Sequence, residues 1–113
     1  MEKIGRQVFL YDFYGELLTK HQQEIYEDFV LNDLSLSEIA SEFGISRQGV
    51  HDTIKRCDRI LAEYEEKLQL VERFLKTREA VLKILELSKC LSGDYKADLV
   101  RISKMAETLL DEL

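Results

Sequence analysis

Between Ser35 and Arg56 the chain reads SLSEIASEFGISRQGVHDTIKR, and few folds accommodate that order of caps, apolar residues and glycine. Ser35 and Glu38 have capping-box spacing, in which hydroxyl and carboxylate each take up an amide left orphaned at a helix start. Ile39, Ala40 and Phe43 lay an apolar stripe along a short helix, and Gly44 can end it by taking a left-handed backbone at little steric cost. Ile45 plugs the corner. Ser46 is a second cap, and the helix starting at Arg47 carries Val50 and Ile54, which close over Ile39, Ala40 and Phe43. Small Ala40 permits a close crossing. The stretch reads as a helix-turn-helix.

The rest of the chain is readable as helices around that motif. Proline is absent, glycines number five and about a third of the residues are charged, which favours long exposed helices and an all-α fold. Phe9, Phe13 and Leu17, with Leu10, Tyr14 and Leu18 beside them, predict a first helix over residues 6–18 whose aromatics belong to the core rather than to a base-stacking platform. Thr19 and Gln22 repeat the capping-box spacing. A second helix should therefore begin near Lys20, turn Ile25, Tyr26, Phe29 and Val30 inward and end at Asn32 and Asp33. Three helices then precede the recognition helix, and the core spans residues 6–56.

Beyond Arg56 the positions Val50, Ile54, Cys57, Leu61, Tyr64, Leu68, Val71 and Leu75 step by four and three, a heptad seam that predicts a recognition helix prolonged into a long arm. A further, mostly buried helix is expected over residues 78–91. Gly93 and Asp94 supply a turn and a cap, after which Tyr95, Leu99, Ile102, Ala106, Leu109 and Leu113 form a second seam. The expected organisation is a helix-turn-helix domain over residues 1–60 and a helical arm with C-terminal dimerisation helices over residues 61–113. Leu61, Tyr64, Leu68, Leu99, Ile102 and Leu109 are the expected seam of a homodimer, with an intramolecular hairpin as the alternative.

The first exposed positions of a recognition helix meet base edges, here Arg47, Gln48, His51 and Asp52. Arginine can pair with guanine and glutamine with adenine, each through two hydrogen bonds, and aspartate can accept from cytosine. Ser46, Lys55, Arg56 and Arg59 are expected to contact phosphates. The chain carries a formal charge of -6, whereas residues 44–60 hold four basic residues against Asp52 and Asp58, a net of +2. Any phosphate-binding surface is therefore local. His51 has no companion ligands at metal spacing, and the scattered glutamates lack a nucleophile motif or glycine-rich loop, so neither metal, cofactor nor enzymatic activity is expected. Cys57 and Cys90 stand far apart, and no stretch approaches the roughly 20 apolar residues that span a bilayer. A cytoplasmic protein without membrane insertion is expected.

Residues 9–75 resemble the YlxM-type helix-turn-helix proteins of Gram-positive bacteria, which are associated with the signal recognition particle pathway. The resemblance rests on Phe13 to Thr19, Ser35 to Ala40, Phe43 to Gln48, and Ile54 to Arg56 leading into Leu61, Tyr64 and Leu68. Residues 19–56 are also similar to region 4 of bacterial sigma factors, which reads promoter DNA in the major groove. Arg47 and Gln48 match that region's recognition positions, whereas Gly49 and His51 replace the commoner alanine or arginine, and tyrosine or arginine. These resemblances imply a DNA-binding regulator linked to the signal recognition particle pathway. The alternative is a protein- or RNA-interacting accessory of the targeting particle that does not bind specific DNA.

Overall fold

Helix α1 (Lys3–Tyr14) opens the structure, a computed structural model that describes residues 3–89 and 93–112. A 3-10 turn (Gly15–Leu17), α2 (Lys20–Val30), α3 (Leu36–Phe43), α4 (Arg47–Leu68), α5 (Leu70–Lys89) and α6 (Tyr95–Glu112) follow. The fold is all-α, with no strand among the described residues. The chain forms two compact units, one ending at Val71 and the other beginning at Glu72. The first reaches past residue 60 because Leu61, Glu65 and Val71 are buried in it.

In the first unit α1, α2 and α3 pack on α4, with Leu10, Tyr14, Ile25, Tyr26, Ile39, Val50, Cys57 and Leu61 at the centre. Both expected capping boxes form. Thr19 Oγ1 accepts from the Gln22 amide at 3.2 Å and Ser35 Oγ from that of Glu38 at 3.1 Å, while each partner's side chain accepts from the cap's own amide. Gly44 is left-handed (φ 66°) and ends α3, as its place in the motif requires.

Two expectations for α1 fail. Phe13 is 38% exposed because the buried line of α1 runs through Gln7, Leu10 and Tyr14 beside it, and Leu17 is 55% exposed because the α-helix stops at Tyr14 and the following 3-10 turn breaks the four-residue register. Leu10, Tyr14 and Leu18 are buried as expected, and Gln7 joins them. Gly15 is needed at the turn, since a Cβ there would lie 2.7 Å from the Tyr11 ring.

Three tyrosines of α1 and α2 hold neighbouring helices through carboxylates. Tyr11 donates to Glu27, Tyr14 to Glu65 and Tyr26 to Asp58, each at 2.6 Å. Burial, and then the accepting carboxylate, push all three phenols above their ordinary range.

The long arm is not continuous. Gln69 is left-handed (φ 55°), so the recognition helix ends at Leu68 and a new helix begins at Leu70. Tertiary contacts hold this break where no glycine or proline marks it. The Tyr14 hydroxyl accepts from the Leu70 amide at 3.0 Å, and the buried Glu65 carboxylate accepts from the Val71 amide at 3.0 Å. Two orphan amides of α5 are thereby satisfied, with a carboxylate at the positive end of the helix.

The second unit contains the rest of α5 and α6. Asp94 caps α6 as expected, accepting from the Ala97 amide at 3.1 Å. The stretch expected as a mostly buried helix over residues 78–91 is described as far as Lys89, where it is the second half of α5 and is not mostly buried: Val81, Leu82 and Leu85 are exposed, because the second unit supplies no layer over them. Leu91 and Leu113 lie outside the described residues. Among the described residues no helix is long and apolar enough to cross a membrane.

Candidate nucleic-acid interface

The geometry of the motif follows from its apolar residues. Ile39 and Val50 are fully buried and Ala40 and Ile54 nearly so, which locks α3 across the start of α4. Half-buried Phe43 and the His21 ring pack edge to face with centroids 5.8 Å apart, which gives His21 a packing role. Ser46 caps α4, its Oγ accepting from the Gly49 amide at 2.9 Å. Its hydroxyl proton can still donate outward.

With Val50, Ile54 and Cys57 turned into the core, the opposite face of α4 is left to solvent. Arg47, Gln48, His51 and Asp52 are all exposed there, and so are Lys55, Arg56 and Arg59 one to three turns on. The expected base-contact and phosphate-contact residues thus share one helix surface. His51 and Lys55 also border a recess of about 210 Å³, lined by Phe29, Leu36 and Ile54.

The polar groups on this face are interlinked. Asp52 accepts from Gln48 Nε2 at 2.9 Å and lies 3.6 Å from His51 Nδ1. Three of the four expected base readers therefore engage one another, and Asp52 takes up one of the two Nε2 hydrogens of Gln48, which leaves the other and Oε1 for a base. Asp58, half-buried behind them, accepts from both Gln7 Nε2 (2.8 Å) and Tyr26 (2.6 Å) and so fixes the rotation of α4 on α1 and α2. Sequence reasoning missed this residue, since its partners lie 51 and 32 positions away and no spacing rule links them. Cys57 is not available for chemistry. Burial, followed by the charge of Asp58, pushes its thiol up to about 11.

A carboxylate group occupies the α2 and α3 surface. A hydrogen bond with Asp28, partial desolvation and the charges of Asp28 and Glu24 raise the Glu42 carboxyl. Glu38 moves the other way because the Ser35 amide and hydroxyl donate to it.

Of the expected dimer residues, Leu61 is buried in the first unit and the Tyr64 ring stacks on Tyr14 at 6.0 Å, so both are occupied within one chain. Leu68 and Leu99 are exposed, and Ile102 and Leu109 are half-buried.

Comparison with known proteins gives a concordant result. Residues 1–106 match the family described as "Putative helix-turn-helix protein, YlxM / p13 like". The chain is 42% identical over 114 residues to the UPF0122 protein of Acetivibrio thermocellus, covering 100% of this chain and 97% of that one. It is 47% identical over 87 residues to UPF0122 proteins of Bacillus cereus and Bacillus thuringiensis, covering 77% of this chain and 79% of each of those.

Proposed function

The chain belongs to the YlxM/p13-like helix-turn-helix family, and on that premise we propose that it is a regulatory protein that binds double-stranded DNA, with α4 lying in the major groove. One observation carries the reading: the capped start of α4 presents Arg47, Gln48, His51 and Asp52 to solvent, with Lys55, Arg56 and Arg59 following on exposed positions. Arg47 and Gln48 supply paired donors and acceptors for guanine and adenine edges, and Asp52 an acceptor for cytosine. The Ser46 hydroxyl and the basic residues after Asp52 take phosphates, which set register without reading sequence. The surrounding carboxylates make affinity depend on this narrow basic strip.

Selection from random duplexes at two salt concentrations tests the reading. A single enriched sequence is expected, together with a roughly tenfold to hundredfold weaker binding of Arg47→Ala, the cost of one bidentate base contact. Failure to enrich any sequence at low salt rejects sequence-specific recognition.

The acidic surface formed by Glu24, Asp28 and Glu42 favours a second reading. In it the helix-turn-helix is a scaffold, and the protein is an accessory of the signal recognition particle that meets a basic partner or RNA. Recovery of targeting components from lysate despite nuclease supports protein contact, and nuclease-sensitive recovery supports an RNA bridge. No recovery under either condition rejects this reading.

A further inference from the structure

The second unit lacks an apolar core of its own. Among the described residues after Val71 only Asp98 is buried, and no apolar side chain is. A helical hairpin that buries no apolar side chain fully cannot offset the roughly 1–2 kcal/mol of backbone entropy that each ordered residue loses. It needs another layer.

Its surface shows where that layer goes. Residues 76–83 of α5 lie beside residues 105–112 of α6, and residues 83–87 beside 101–105, so the two helices run antiparallel. Half-buried Leu87 on α5 and Met105 and Leu109 on α6 line the recesses between them, and by helical spacing half-buried Ile84 and Ile102 fall on the same inward faces. One side of the hairpin is a groove of about 330 Å³ in which the charged Lys76, Glu79, Lys83 and Glu112 lie beside Met105 and Leu109. At 100° per residue, Val81 and Leu85 fall nearly half a turn around α5 from those lysines. Tyr95, Leu99, Ala106 and Leu110 make one stripe on α6, a third of a turn from its groove-lining residues. Because the helices are antiparallel, both stripes emerge on the side away from the groove.

That side is large and apolar. Tyr95 is 61%, Leu99 63% and Leu110 70% exposed, and Val81 and Leu85 are close to half exposed. Together these five leave roughly 550 Å² accessible, near the upper end for apolar patches on monomers and about two thirds of the roughly 800 Å² that each partner brings to a standard interface. Ala106 leaves a notch among the larger side chains of α6.

We propose that this side of the hairpin is a self-association surface, through which two copies of the chain pair their α5–α6 hairpins into an intermolecular four-helix bundle. A second copy brings a layer of matching length and an identical apolar face, which closes by two-fold symmetry and supplies the missing core. The surface differs from the heptad seam expected from the sequence: Leu61 and Tyr64 are occupied in the first unit, and Ile102 and Leu109 face α5. Only Leu99 is common to the two surfaces. The inference is independent of DNA binding, and its test contains no nucleic acid.

Sedimentation equilibrium of the full chain at ~50 µM, far above the Kd of a typical stable pair, should give twice the 13.2 kDa of one chain. Leu99→Glu, which places a carboxylate in the centre of the face, should weaken the pair by at least about a hundredfold and sediment as one chain at that concentration. Val100→Glu makes the same change on the same helix at an exposed position turned away from the face, and should remain paired. A wild-type mass of one chain, a Leu99→Glu protein that stays paired, or a Val100→Glu protein that separates would each overturn the proposal.

Discussion

Asp52 restrains the surface it belongs to. It holds Gln48 and sits beside His51, and it is one of two acidic residues among the four basic ones of residues 44–60. Asp52→Asn removes a negative charge that faces the phosphates and loosens Gln48. Binding to random duplex at low salt should strengthen about threefold to tenfold, by an amount that shrinks as salt screens the charge, while discrimination at any cytosine read by Asp52 falls. Fluorescence anisotropy with random and selected duplexes measures both, and unchanged affinity for random duplex would show that Asp52 faces away from the backbone. That these residues share a surface was legible in the sequence, because helical periodicity turns Val50, Ile54 and Cys57 inward and leaves the others outside. Their mutual hydrogen bonds were not, since several rotamers satisfy the same periodicity.

The junction between α4 and α5 shows how a tertiary contact overrides an element's local pattern. Four-and-three spacing runs unbroken from Val50 to Leu75, yet the helix breaks at Gln69, where a non-glycine residue takes a left-handed backbone. Tyr14 and Glu65 sustain the break by binding the amides of Leu70 and Val71. Tyr14→Phe keeps the ring against Tyr64 but leaves the Leu70 amide without its acceptor and Glu65 without its phenolic donor. The expected cost is about 1–3 kcal/mol in urea unfolding, accompanied by faster exchange of the Leu70 amide proton. A loss below a few tenths of a kcal/mol would show that the break has another cause. The same comparison explains α1, whose apolar register continues on paper through Leu17 but is cut at Tyr14 by the turn that Gly15 permits.

On the scale of the whole molecule, α1, α2 and α4 are held together by phenols that resist ionisation. Tyr11, Tyr14 and Tyr26 each have a folded-state pKa raised above the unfolded value of about 10. Their contribution to stability is therefore complete below that value and is lost as pH rises toward the folded values. Alkaline unfolding should begin above about pH 10, with these phenols released in the same cooperative transition that removes the circular-dichroism signal of the helices. Gradual titration of all the tyrosines with helicity intact would contradict it. The sequence showed these aromatics to be core residues, but the carboxylates that receive their hydroxyls are 16 to 51 positions away.

The helical class, the two capping boxes, the helix-turn-helix with its left-handed Gly44, and the residues that face outward from the start of α4 were all legible in the order of residues along the chain. All of these rest on interactions within a few residues or on one helical period, which a linear string contains. Only the tertiary structure decided where α1 and α4 stop, which carboxylate each tyrosine holds, and that the apolar stripes of α5 and α6 emerge on a single side of their hairpin. Those outcomes depend on groups brought together from distant positions, whose hydrogen bonds and burial outweigh the fraction of a kcal/mol per residue that local helix propensity contributes.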